Sequence, residues 1–140
     1  MEFVNNIKNG LRNGLKISTK IIVYMLPFYV IVDVLEQSGY LSKISLVFKP
    51  VMGVLGLPSE AAVAIISGML LNLYPAIAAM APLSLSVKEI TIIGLFLGIA
   101  HNLVIETIIL SRSGVKAYSV VILRIATACV AAMGVNILWT

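Results

Sequence analysis

A chain of 140 residues with 60% hydrophobic and 11% charged side chains, at a mean hydropathy of +1.06, is not an ordinary soluble domain, where charge runs near about 25% and apolar residues near about 45–50%. Ten Lys and Arg stand against six acids, but the basic residues are scattered between apolar runs, which is the pattern of membrane topology and excludes a nucleic-acid-binding face. The single cysteine, Cys129, lies within an apolar run, so neither a disulfide framework nor a thiolate metal cluster can form within one chain.

Residues 1–20 repeat Phe3, Ile7, Leu11 and Leu15 every four positions, with Lys8, Arg12, Lys16 and Lys20 in the gaps. That spacing predicts an amphipathic helix lying on the membrane surface. After the apolar run that starts at Ile21 the chain reads Val34-Leu35-Glu36-Gln37, with no small-residue cleavage site, so no signal cleavage is expected. Ile17 to Leu35 is long and apolar enough for a first spanning helix, kinked near Pro27. Ser38-Gly39 ends it. Tyr40 to Gly56 then reads as a second amphipathic helix with Leu41, Ile44, Val47, Phe48, Val51 and Leu55 on one stripe, kept from crossing by Lys43 and Lys49 and kinked or divided at Pro50.

Ser59 to Ala81 admits two readings. It is one transmembrane helix capped by Ser59 and Glu60, or a re-entrant hairpin turning at Asn72-Leu73-Tyr74-Pro75, with Pro75 opening the return helix. If it spans, the basic residues divide five against four between the two sides. If it re-enters, Lys8, Arg12, Lys16, Lys20, Arg112 and Lys116 share one side and Lys43, Lys49 and Lys88 the other, six against three. The positive-inside rule therefore favours the hairpin, with a cytoplasmic amino terminus in the cell (inner) membrane. Lys88-Glu89 opens the next apolar segment, which is interrupted at Ala100-His101-Asn102. Arg112-Ser113-Gly114 is a turn, and Tyr118 to Trp139 is the last span. The expected fold is an all-α integral membrane protein with amphipathic surface helices, about three spanning helices, one of them interrupted, and one re-entrant helical hairpin. It forms one membrane domain over 1–140.

Polar side chains inside apolar segments are costly, which makes Asp33, Asn72, His101, Asn102, Glu106, Arg124 and Asn136 the functional candidates. In the hairpin reading Asn72 lies about 18 Å of helical rise beyond Glu60 and His101 about 20 Å beyond Lys88, so both breaks reach the midplane. Two interrupted helices meeting there is how secondary transporters build a binding site, with Asn72, Tyr74, His101 and Asn102 as its polar lining here. Against this stand local roles: Asn72 capping its own helix, His101 bonded to a neighbouring carbonyl. Glu106 follows Asn102 by one helical turn, and its height matches that of Arg124 on the returning helix, which predicts either a structural Glu106–Arg124 pair or a fifth binding residue, Glu106 holding substrate or a proton with Arg124 setting its charge. Asp33 and Glu36 sit near the far interface, where solvation explains them. Gly94 and Gly98 have the spacing of close helix packing. A lone His with no second ligand nearby carries no metal site, and no catalytic constellation or cofactor motif is present.

The runs Ser38-Gly39-Tyr40-Leu41, Gly56-Leu57-Pro58-Ser59-Glu60-Ala61-Ala62, Asn72-Leu73-Tyr74 and His101-Asn102-Leu103-Val104-Ile105-Glu106-Thr107, together with Pro50, resemble the nucleoside-recognition or Gate domain of membrane proteins. The resemblance covers residues 39–114, between an amphipathic helix at 1–20 and a last span at 117–139. Val104 stands where the family carries proline after His-Asn-Leu. The resemblance implies an architecture like one half of a concentrative nucleoside transporter, similar to domains of ferrous-iron permeases and paired spore-maturation membrane proteins. It places Asn72 at the hairpin tip and His101, Asn102 and Glu106 on the broken helix. It also implies a second copy or an opposite-topology paralogue to complete an inverted pair. Two functions follow: a transporter or transporter half-unit for a small polar solute such as a nucleoside, or a non-transporting membrane subunit that assembles with a partner. With no reactive group beside an activating partner, the chain is not expected to be an enzyme.

Overall fold

The computed structural model describes residues 2–114 and 116–139, the side chain of Tyr24 excepted. The first and last residues of the expected 1–140 domain lie outside them. The described chain is all helical, with α1 over Glu2–Gln37, α2 over Tyr40–Ser45, α3 over Lys49–Leu55, α4 over Ala62–Leu70, α5 over Leu73–Met80, α6 over Val87–Ala100, α7 over Leu103–Arg112 and α8 over Ala117–Leu138.

Among the described residues three elements are long and apolar enough to cross a membrane, α1, the α6–α7 pair and α8, and the sharply bent pair Tyr40–Leu55 and Ser59–Leu70 is a broken span or a re-entrant loop. The expected surface helix and first span are one continuous helix, with Pro27 inside it. At 36 residues α1 is about 54 Å long, well beyond a hydrocarbon core of about 30 Å. No glycine pair, capping residue or turn interrupts it between Thr19 and Ile21. Apolar side chains along the spans, among them Leu26, Ile31, Val34, Ile122, Leu123, Val130 and Ile137, are exposed, as lipid-facing positions must be.

Tyr40 to Gly56 divides where proline dictates. A 3-10 turn at Leu46–Phe48 separates α2 from α3, and Pro50 occupies the first turn of α3, where its missing N–H costs nothing. The apolar stripe is narrower than its sequence pattern: Leu41, Met52 and Leu55 are buried, whereas Ile44, Val47 and Val51 are exposed. Gly56 ends α3 with φ +75, and any Cβ there would overlap the Asn136 side chain of α8. The segment beginning at Ser59 then departs at 98° from the α2–α3 direction. Its first turn carries no side-chain cap; the Ser59 hydroxyl donates instead to the Glu60 carboxylate at 3.0 Å.

Residues 59–81 form a helical hairpin. Its arms α4 and α5 have nine and eight residues, about 14 and 12 Å of rise, so neither crosses a bilayer alone. They lie side by side: a Cβ built on Gly68 would sit 3.1 Å from the Cβ of Ala76, a pair that a continuous helix would hold about 12 Å apart.

Two apolar clusters hold the helices. One joins Met52, Leu55 and Ile65 to Ile92, Ile93, Phe96 and Leu97 of α6 and to Ala128 and Ala132 of α8. The two alanines are fully buried, and as small residues one turn apart they let α6 and α8 approach closely. Gly94 and Gly98, which carry the sequence signature for that contact, face open space and are exposed. The second cluster ties Val32 of α1 to Leu41, Ala64, Ala79 and Leu83. Asp33 accepts from the Gln37 amide at 2.8 Å, and the half-buried Glu36 has its Oε2 enclosed with no partner among the described residues. Cys129 is a free, half-buried thiol packed on the first cluster.

Candidate functional site

Two helix interruptions meet in this fold. The first is the hairpin tip. Asn72 adopts an extended backbone between α4 and α5, and its Oδ1 accepts from the Tyr74 N–H at 2.9 Å, satisfying one of the free donors of the α5 amino terminus. Asn72→Ala is expected to cost about 1 kcal/mol of folding stability, measured by reversible denaturation in mixed detergent micelles. A change below a few tenths would show that the tip geometry does not depend on this cap.

The second interruption separates α6 from α7. Asn102 stands there at φ +55, ψ +33, the one non-glycine residue with positive φ among those described. Asparagine tolerates this left-handed conformation better than branched or bulky side chains. The turn aims the Asn102 N–H sideways, and it donates to the Gly68 carbonyl of α4 at 3.0 Å. Glycine at 68 is what brings the elements so close, because a Cβ there would meet both Leu97 methyl groups at 2.6 and 2.8 Å. The hairpin and the broken helix are thus stitched together by backbone, four residues before the tip.

The carbonyls freed at the end of α6 find side-chain donors. His101 bonds through Nδ1 to the Leu97 carbonyl at 2.9 Å; since a carbonyl only accepts, Nδ1 carries the proton and Nε2 of the neutral ring is left as an acceptor. Arg124 reaches across from α8. Its Nε donates to the Ile99 carbonyl at 2.7 Å, its Nη2 to the His101 carbonyl at 3.4 Å, and its Nη1 pairs with Glu106 Oε2. A cation at the negative end of α6 complements the helix dipole, and the guanidinium fork serves two carbonyls and a carboxylate at once. Asn102 Oδ1 is buried with no hydrogen-bond partner, and no side chain caps the first N–H groups of α7. An incoming donor would meet the partly exposed Glu106 carboxylate and an incoming acceptor the amino terminus of α7, while the Asn102 Oδ1 is an unused acceptor enclosed by protein.

The five candidate residues do not share one cavity. His101, Asn102 and Glu106 gather at the α6–α7 break beside Arg124. Glu106 and Arg124 also line a cleft of about 360 Å³ with Ile109, Leu110 and Val120. Asn72 and Tyr74 instead face α1, across a groove of about 460 Å³ bounded by Lys20, Ile21, Met25, Phe28, Leu71 and Pro75. Sequence reasoning missed Gly68 and Lys20. The Ser67-Gly68 pair four residues before Asn72 was the available signal for the first, and the terminal place of Lys20 in the basic row for the second. Among the described residues no group of His, Cys, Asp and Glu is arranged to hold a metal ion.

The family model described as Gate, nucleoside recognition, matches residues 18–138. The chain belongs to the Gate family. It is also 35% identical, over 113 residues, to the uncharacterized membrane protein YvoD of Bacillus subtilis (strain 168), an alignment covering 81% of this chain and 36% of that protein. The Gate chain thus spans about a third of that relative's length. No solved structure matches it. With three candidate spans in a family of membrane proteins, it is a multi-pass membrane protein. The Gate model covers both helix breaks and Arg124, whereas α1 up to Ile17 lies outside the match.

Proposed function

We propose that this Gate chain is a transporter half-unit for a small polar solute, which binds where the hairpin meets the broken helix. The observation that carries the reading is the Asn102 N–H to Gly68 carbonyl bond, which joins two interrupted membrane elements at the level of their breaks. Irregular backbone at depth is tolerated only where protein covers it or a water-filled site needs it. A nucleoside suits the donor set: Asn102 and Glu106 for ribose hydroxyls or base edges, the His101 Nε2 as a further acceptor and apolar walls for the base, with Asn72 and Tyr74 left outside it on the side facing α1. The description of the Gate family points the same way.

Three spans put the ends of the chain on opposite sides of the membrane, and the six-against-three division of basic residues supports a cytoplasmic amino terminus in the cell membrane. One chain leaves the Glu106 cleft open to its surroundings. A second copy or an opposite-facing paralogue closes it in this reading, and a relative of which this chain matches only 36% has room for another such unit.

The test is equilibrium binding of labelled uridine and adenosine to the full chain in nanodiscs. Glu106→Gln and Asn102→Ala are expected to weaken binding at least tenfold while the particle mass stays unchanged. Normal binding by both variants would refute the site. The local bonds of Asn72 and His101 favour a second reading, a non-transporting subunit in which these groups only hold broken helices for assembly. That reading predicts no nucleoside binding by the wild type, and loss of the assembled particle in Asn102→Ala.

A further inference from the structure

The groove between α1 and the hairpin tip has a composition unlike the α6–α7 break. Its walls are Ile21, Met25, Phe28, Leu71 and Pro75, and its polar groups, Lys20, Asn72 and Tyr74, come from one end of the α1 wall and from the tip. Along α1, Lys20, Ile21, Met25 and Phe28 lie within eight residue steps, about 12 Å of rise, so the lining is cationic at one end and apolar along the rest. Past Met25 the space adjoins a second, smaller cleft of about 230 Å³ lined by Ile22, Leu26, Tyr29, Ile77, Ala78 and Ala81.

Lys20 is exposed, and the ion pair among the described residues is Glu106–Arg124, so no carboxylate neutralises it. It is also the last of a row. Lys8, Arg12, Lys16 and Lys20 follow at four-residue steps on the continuous helix α1, all exposed, over about 18 Å. The row leads from the amino-terminal side of the membrane to the mouth of the groove.

We infer that this groove is a binding site for one acidic phospholipid of the leaflet at the amino-terminal side, with its headgroup phosphate at Lys20 and an acyl chain lying along Met25 and Phe28. The charge is complementary, the cavity is apolar where a chain would run, and its length along α1 suits about nine or ten methylenes. The site is separate from the α6–α7 break, so the inference stands or falls independently of the solute.

The experiment is lipid binding by native mass spectrometry. The delipidated full chain in detergent is titrated with dioleoyl phosphatidylglycerol, dioleoyl phosphatidylcholine and glycerol 3-phosphate. Phosphatidylglycerol is expected to bind about fivefold or more tighter than phosphatidylcholine, the effect of about one lysine at a lipid surface. Lys20→Gln should bring the two within twofold, whereas Lys20→Arg and Lys8→Gln should keep the preference. Met25→Trp, which fills the groove, should weaken both lipids at least fivefold. An unchanged preference in Lys20→Gln, its loss in Lys20→Arg, an equal loss in Lys8→Gln, or unchanged lipid binding in Met25→Trp would overturn the site. Glycerol 3-phosphate binding as tightly as the whole lipid would overturn the lipid assignment in favour of a free phosphate anion.

Discussion

Replacing Arg124 by glutamine is expected to destabilise the fold by about 3 kcal/mol, the largest single effect in the membrane part of the chain. Breaking a desolvated ion pair from one side costs about 3–5 kcal/mol, because the partner charge is left without compensation. The Glu106 side chain keeps 36% of its exposure, which discounts that figure. The same substitution strips the Ile99 and His101 carbonyls of their donor, adding about 1 kcal/mol or more. Two comparisons isolate the cause. In an Arg124→Gln, Glu106→Gln double variant, about half the loss should return, since no net charge remains buried and only the orphaned carbonyls still cost. Arg112→Gln, at the exposed end of α7, should change stability by less than about 0.5 kcal/mol. Reversible denaturation in mixed micelles reads all three. Equal losses in the single and double variants would mean that Arg124 acts through the α6 carbonyls alone.

Gly68→Val should rank close behind, at about 2–3 kcal/mol. Any Cβ at this position comes within 2.6 Å of a Leu97 methyl and 3.1 Å of Ala76, so the hairpin has to open or Leu97 has to move. Opening the hairpin also stretches the Asn102 N–H to Gly68 carbonyl bond that ties it to the broken helix. Leu97→Ala in the same chain makes room on one side and should recover part of the loss, a coupling read from a double-mutant cycle. Gly94→Val, where the added atoms meet open space, should be nearly neutral. If the two valine variants behave alike, α4 and α6 do not pack as described.

The contrast between these glycines shows what a linear pattern carries. Gly94 and Gly98 have the right spacing for helix packing, but spacing says nothing about which face of α6 meets a neighbour. Packing instead selects Ala128 and Ala132 on α8 and Gly68 on α4, because those faces are where the neighbouring helices lie. The same limit appears at Tyr40 to Gly56, where Pro50 announced the division but the buried stripe turned out narrower than its periodicity. At the hairpin, Asn72-Leu73-Tyr74-Pro75 marks the turn within the sequence itself, since a capping amide followed by proline is legible locally.

Composition and hydropathy by themselves determined the solvent, the all-helical class, the α6–α7 break and the polar residues of the membrane segments, because a bilayer penalises every unpaired polar group and so makes each one conspicuous in sequence, whereas residues 59–81 stayed open between a span and a hairpin. Matching helical rises also placed Glu106 level with Arg124. Only the tertiary structure decided that Arg124 closes the end of α6 as well, that Gly68 receives the Asn102 N–H, and that Asn72 and Tyr74 look toward Lys20 and α1 instead of Glu106. Those three are backbone or cross-helix relations between residues 25, 34 and 52 positions apart, and no local propensity encodes the direction in which a packed helix turns its face.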